Sequence, residues 1–221
     1  LYSHDFLRVA SCVPRAQVAD PEFAVEETLR LAREGDADHV GLMLFPELGI
    51  SSYAIDDLFF QDALLEAVER ALADLAKASE QLFPALVVGA PLRRDGRLYN
   101  AAVVIHRGKI LGAVPKSYLP NYREFYERRH FTAGADVVGL EITIAGKVVP
   151  FGTDLLFRSE GSVPFTFHAE ICEDIWIPIP PSTRAAMAGA EVLLNLSASN
   201  ITIGKADARR LLCASQSARV I

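Results

Sequence analysis

The 221-residue chain is poor in cysteine and histidine and has no long apolar run. Three cysteines, Cys12, Cys172 and Cys213, are too few and too odd in number for a disulfide framework. A reducing, cytoplasmic compartment is the simpler expectation. No stretch reaches the ~18 uninterrupted apolar residues of a membrane helix, so no membrane partner is expected. The N-terminus lacks the basic-then-apolar pattern of a secretory leader. Phosphate loops of the G-x-G-x-x-G and G-x-x-x-x-G-K-[ST] types are absent, as is the G-x-S-x-G nucleophile elbow. His168-Ala169-Glu170 matches half of a zinc deaminase signature, but the P-C-x-x-C half that would hold the metal is missing. The five histidines, His4, His39, His106, His130 and His168, show no metal-ligand spacing. They read as surface or satisfied core residues, and neither a metal nor a His-assisted nucleophile is expected. Basic residues are also in deficit, 22 against 28 acids, for a formal charge of −6. That balance argues against a nucleic-acid partner.

Apolar substance is plentiful. Hydrophobic residues make up 51% and charged residues 23%, which suits a globular domain with a sizeable core. No repeat, low-complexity tract or linker interrupts it. Short apolar runs at Leu7 to Val13, His39 to Phe45, Ala85 to Ala90 and Val192 to Leu196 predict strands. Leu98 to Ile105 and Lys109 to Val114 flank Arg107-Gly108 and predict a hairpin. Phe165, Phe167 and Ala169 alternate with polar residues into Ile171-Cys172, a further strand. Asp20-Pro21 marks a helix start, with Val25, Leu29 and Ala32 on one face. Helical spacing covers Asp62 to Glu80 and Ala206 to Val220. Thr132 to Ser162 is expected to form a peripheral hairpin or two. Alternating helices and strands indicate an α/β layered domain. Cys12 and Cys213 lie in apolar patterns and are expected to be packing residues. The chain opens without Met and closes on an apolar, helix-like run at Arg219-Val220-Ile221, so trimming at both ends is expected.

Three places join a reactive side chain to the end of a predicted strand. Glu47 leaves an apolar strand beside Pro46, where desolvation would raise a carboxylate toward the range of a general base. The competing reading is an exposed glutamate in a strand-to-helix loop. Lys116 emerges between Pro115 and Pro120, which fix the backbone. Next to a thiol its ammonium would favour a thiolate and then an oxyanion. A solvated lysine after a strand is the alternative. Cys172 ends an alternating strand and is followed by two acids and Trp176. A buried structural thiol is the commoner fate of a lone cysteine.

Glu47, Lys116 and Cys172, in that order and separated by 69 and 56 residues, resemble the Glu–Lys–Cys set of the nitrilase superfamily of carbon–nitrogen hydrolases. Phe45-Pro46-Glu47, Tyr53 to Phe59, Lys116 to Tyr122, Cys172 to Trp176, Leu196 to Asn200 and Gly204-Lys205 resemble, more closely, the glutaminase domains of glutamine-dependent NAD synthetases. The resemblance runs over nearly the whole chain. It implies a four-layer α-β-β-α sandwich, with residues 1–221 an incomplete carbon–nitrogen hydrolase (glutaminase) domain. It also implies a synthetase domain absent from this chain, which receives the ammonia. ATP and Mg are expected only for that domain, because no S-G-G-x-D-S loop is present, and no cofactor is expected for the chain itself. A homo-oligomer is expected. Ser51-Ser52-Tyr53 stands where relatives tend to carry a glycine.

The resemblance implies glutamine as substrate, Glu127 as a supporting carboxylate, and Tyr122, Ser199 and Lys205 as binding residues, with Glu173 meeting the α-ammonium. An ordinary thiol, with a pKa near ~8.5, is about 3% thiolate at pH 7. Either Lys116 lowers that pKa by its charge or Glu47 removes the proton during attack. Lys116 and the Glu173 N–H would hold the oxyanion, and a thioester would follow. Two other readings stay open: a stand-alone amidase for another small amide, and a non-catalytic interaction module.

Overall fold

The computed structural model describes residues 2–161 and 163–220. Ten strands and four α-helices follow one another among them. They are β1 (Val9–Ser11), α1 (Pro21–Ala37), β2 (Leu42–Leu44), α2 (Asp62–Ala78), β3 (Ala85–Arg94), β4 (Arg97–His106) and β5 (Lys109–Pro115). Then come β6 (Leu140–Ile144), β7 (Lys147–Phe151), β8 (Phe157–Ser159), β9 (Phe165–Ile171), α3 (Pro181–Met187), β10 (Val192–Leu196) and α4 (Lys205–Val220).

Local chemistry sets most boundaries. Asp20 caps α1 by accepting the Phe23 N–H at 3.0 Å, with Pro21 in the first turn. The three tight hairpins turn at Asp95-Gly96, Arg107-Gly108 and Ala145-Gly146, and both residues of each pair have positive φ. That is the conformation whose twist matches a hairpin, and glycine in the second place adopts it without strain.

A seven-stranded sheet runs β1-β2-β3-β4-β5-β7-β6, and a three-stranded sheet runs β10-β9-β8. Period-two alternation divides the strands of the larger sheet between two cores. Leu86, Val88, Ala101, Val103 and Ile105 face α1 and α2, joining Val68, Leu72 and Leu75. Val87, Ala102, Val104 and Val114 face the second sheet, meeting Phe167, Ala169, Ile171 and Leu196. On the far side of that sheet, Ser182 of α3 donates its N–H to Glu170 of β9, and Gln216 of α4 bonds the Ser182 hydroxyl. The order of layers is therefore helix, sheet, sheet, helix, as the resemblance implies.

Several sequence expectations need correction. The second strand is short, because His39 takes φ +54° in a turn before it. The third runs past Ala90 to Arg94 and pairs with β4 through the Asp95-Gly96 turn. Helix α2 ends at Ala78, with a 3-10 turn over Ser79–Gln81. The 132–162 segment gives one peripheral hairpin, β6 and β7 at the edge of the larger sheet, within the hairpin or two expected, while β8 pairs with β9. Ser162 and Ile221 lie outside the described residues. Helix α3 was not anticipated. Cys12 is buried, but Cys213 is exposed and is not a packing residue.

Strands β1, β2 and β3 are parallel, as are β9 and β10. Their carboxyl ends, with that of β5, define one edge of the sandwich. The turn after β2 rests on Gly89 of β3. A Cβ there would lie 2.3 Å from the Leu48 nitrogen and 2.6 Å from the Pro46 carbonyl oxygen. We expect Gly89→Ala to push this turn away and destabilise the fold by about 1–3 kcal/mol. Thermal melting reads the loss, and an unchanged melting temperature contradicts it.

Candidate active site

Each side chain of interest follows the carboxyl end of a strand. Glu47 comes three residues after β2, Lys116 directly after β5, Cys172 directly after β9, and Ala198 two residues after β10. Open α/β sheets present ligand sites at such edges. The first two come from the larger sheet and the last two from the smaller. The packed interface between the sheets therefore sets how they meet.

Glu47, Lys116 and Glu127 form one buried ionic cluster. The Lys116 Nζ donates to Glu47 Oε1 at 2.6 Å and to Glu127 Oε1 at 2.7 Å. Glu47 and Lys116 are each 1% exposed, and Glu127 5%. These figures overturn the alternatives of an exposed glutamate and a solvated lysine, and they bury Glu127 with them. Asn100 Nδ2 also donates to Glu47 Oε1 at 2.7 Å, and the Ala198 N–H donates to Oε2 at 3.0 Å. A carboxylate has about four lone-pair sites. With three engaged, one on Glu47 Oε2 stays open among the described residues. Tyr53 donates to Glu127 Oε1 at 2.7 Å, while Glu127 Oε2 is buried without a partner among the described residues.

The electrostatics follow from this packing. Burial opposes the charge on Lys116, but the two carboxylates outweigh it and hold the ammonium above its ordinary pKa. Burial pushes Glu127 up, Glu47 adds to the rise, and Lys116 opposes it. Removing one partner from such a cluster costs about 3–5 kcal/mol, because a charge is left uncompensated.

Cys172 is 5% exposed and sits at φ +47°, in left-handed backbone at the start of a 3-10 turn over Cys172–Trp176. Such a conformation in a non-glycine residue costs about 1–3 kcal/mol and needs support from its surroundings. Its carbonyl accepts Asn195 Nδ2 at 3.4 Å. Burial pushes the thiol up to about 12. Glu47 and Glu127 add to the rise, against Lys116 and a hydrogen bond from Ser197. Of the two activation routes left open by the sequence, a preformed thiolate is therefore disfavoured.

Cys172 opens into a cavity of about 770 Å³. Tyr122, Glu173, Ser199 and Lys205 all line it, with Phe125 and Trp176 as apolar walls. Tyr122 OH donates to the Glu173 carboxylate, 3.0 Å from either oxygen. Lys205 Nζ lies 5.8 Å from the centre of the Phe125 ring and donates to Asn200 Oδ1. Arg209 donates to the Ser199 hydroxyl and to the Asn200 carbonyl, the latter at 3.0 Å.

Sequence reasoning passed over Asn100, Tyr53, Arg209 and Asp174. Asn100 lies mid-strand, and nothing local distinguishes it from any strand amide. Arg209 is four residues beyond Lys205 on α4, a spacing that puts both cations on one helix face and could have been read. Asp174 sits two residues after Cys172 and is 1% exposed. Burial pushes it up to about 7 against the pull of three backbone N–H donors. Ser52 takes φ +73°, the left-handed backbone that suits the glycine expected of relatives in this loop.

The family model for carbon-nitrogen hydrolases matches residues 8–218. The chain belongs to the carbon-nitrogen hydrolase family. It is 54% identical over 220 residues to a glutamine-dependent NAD(+) synthetase of Mycobacterium tuberculosis, covering 100% of this chain and 32% of that protein. It is 33% identical over 189 residues to the one from Aquifex aeolicus, covering 85% of this chain and 29% of the relative. The chain thus spans about a third of the length of the curated relatives it matches. Among solved structures, a glutamine-dependent NAD(+) synthetase from Cytophaga hutchinsonii superposes with a TM-score of 0.84 at 27% identity, over 95% of this chain and 33% of that one. An amidase from Nesterenkonia sp. shares the fold, with a TM-score of 0.71 at 17% identity over 95% of this chain and 71% of that one. Carbon-nitrogen hydrolase membership and the nitrilase-like fold agree with the expectation from sequence. Among the described residues no helix is long and apolar enough to cross a membrane.

A thiol held this high reacts with alkylating agents only through a minute thiolate fraction. We expect the iodoacetamide rate at Cys172 to climb about tenfold per pH unit, with no plateau below pH ~11. Peptide mapping across a pH series reads this. A plateau near pH 7 would mean a preformed thiolate.

Proposed function

We propose that the chain is the glutaminase part of a glutamine-dependent NAD synthetase, hydrolysing the side-chain amide of glutamine through a thioester on Cys172. The observation that carries this reading is the open lone pair on Glu47, in a carboxylate otherwise saturated by Lys116, Asn100 and Ala198. A carboxylate so held is a base with one free site.

As Cys172 Sγ attacks the amide carbon, its proton passes to Glu47. The developing oxyanion is held by the Lys116 ammonium and the Glu173 N–H. Glu47 returns the proton to the nitrogen, the C–N bond breaks and ammonia leaves. Water then gives a proton to Glu47 and attacks the thioester, and glutamate departs as the sulfur regains a proton. Glu127 takes no proton in this scheme. It shares the Lys116 ammonium with Glu47 and helps balance its charge. Glu173, turned by Tyr122, meets the α-ammonium of glutamine. Ser199 and Lys205, with Arg209 behind Ser199, meet its α-carboxylate. The released ammonia serves a synthetase domain, outside these 221 residues, that amidates nicotinic acid adenine dinucleotide using ATP and Mg. That domain is the partner, and a cytoplasmic homo-oligomer is the setting.

Cys172→Ala is expected to abolish glutamine hydrolysis, and Glu47→Gln to abolish turnover while glutamine still binds by calorimetry. Substantial turnover in either variant removes this assignment. Ser199→Ala and Lys205→Ala should each raise KM about 10-fold or more with kcat nearly unchanged, because they touch only the substrate's α-carboxylate. An electrophilic glutamine mimic should label Cys172 once, with protection by excess glutamine. Labelling by a plain alkylating agent without such protection would point instead to an amidase for another small amide.

A further inference from the structure

Two of the reactive groups sit on segments that no strand pairing joins. Lys116 leaves the larger sheet with its own N–H on the Asn100 carbonyl and its carbonyl on the Gly134 N–H, both at 2.8 Å. Beyond it, Ser117 and Tyr118 lie outside any strand or helix. Cys172 begins its strained turn on the smaller sheet. One buried side chain touches both segments. Asp174 Oδ1 accepts the Tyr118 N–H at 2.8 Å, and Oδ2 accepts the Ser117 N–H at 3.3 Å and the Ile171 N–H at 3.0 Å. Ser117 adjoins Lys116 and Ile171 adjoins Cys172. No Lys, Arg or His pairs with Asp174 among the described residues, so three backbone dipoles alone answer its charge.

We propose that Asp174 is a positioning residue that sets the Lys116 ammonium against the Cys172 sulfur by clamping the two peptide segments to one carboxylate. The proposal rests on the glutaminase reading only for its kinetic test. A hydrogen-bonded acceptor in contact with both segments fixes their spacing more tightly than the apolar packing beneath them, because hydrogen bonds are directional and sheet faces can slide. An isosteric amide cannot replace it. Asparagine turns an NH2 toward either the Tyr118 N–H or the Ser117 and Ile171 pair, and leaves at least one buried donor without an acceptor.

The test compares Asp174→Asn with the unaltered chain by two readouts, each normalised to the number of Cys172 thiols that the electrophile can label. The first is the ratio of Cys172 alkylation by iodoacetate to that by iodoacetamide. A well-placed Lys116 favours the anionic reagent, and the ratio cancels changes in exposure. We expect it to fall about threefold or more in Asp174→Asn. Loss of the Asp174 charge alone would move the ratio the other way, so the fall cannot come from that. The second readout is glutamine turnover. A misplaced ammonium should lower kcat about 10- to 100-fold, with KM within about threefold. A ratio unchanged or raised, with a lower melting temperature and unaltered kcat per labelled thiol, overturns the proposal and leaves Asp174 a structural residue. If the unaltered chain does not hydrolyse glutamine, the glutaminase reading fails, and the alkylation ratio still decides the role of Asp174. Should Asp174→Asn not fold, Asp174→Ser, which keeps one acceptor, carries the same two readouts.

Discussion

The rest of the site depends on one buried ammonium held between two carboxylates. Lys116 is among the largest fully buried side chains, and its charge can stay there only because Glu47 and Glu127 stand 2.6 and 2.7 Å away. Taking each ion from water costs several kcal/mol, and only close, fully hydrogen-bonded geometry offsets that cost. The neighbours of the cluster supply most of it. Asn100 and Tyr53 add second donors to the two oxygens that Lys116 engages, and the Ala198 N–H engages the other oxygen of Glu47. Burial and the two carboxylates of the cluster push the Cys172 thiol up, against the pull of Lys116.

The fold serves this cluster through its layers. Both faces of the central strands β3 and β4 are covered, so these strands are apolar on both sides and hold their register firmly. Two strands of that sheet and two of the smaller deliver their following residues to one edge, and the core between the sheets sets their separation. Backbone features adjust what packing leaves coarse. Gly89 lets the Glu47 turn lie directly on β3, and the left-handed Cys172 begins a turn that no ordinary strand end would make. The Asp174 carboxylate spans the gap that neither sheet can close with its own ladder.

Much of this was legible in advance. The Asp20-Pro21 start of α1, the Arg107-Gly108 hairpin and the apolar runs of β3, β9 and β10 each carry a local signal with a physical cause. The errors were of two kinds. Boundaries moved where tertiary pairing overrode local cues, as when β3 continued through Pro91 to Arg94 because β4 was there to pair with it. Exposure was misjudged where a residue's surroundings come from distant segments. Cys213 looked like core because its neighbours are apolar, yet nothing covers that face of α4 among the described residues.

The sequence by itself determined the alternation of helices and strands, the residue types at the strand ends and the family to which their order belongs. These are properties of short windows and of order along the chain. Tertiary structure alone decided that Glu47, Lys116 and Glu127 share one buried cluster, that Asn100 and the Ala198 N–H complete it, and that Tyr122, Glu173, Ser199 and Lys205 line one cavity with Cys172. It also decided the burial and the charges around the thiol. A pKa depends on burial and on charges brought within a few ångströms by segments far apart in the chain, and no local pattern encodes that sum.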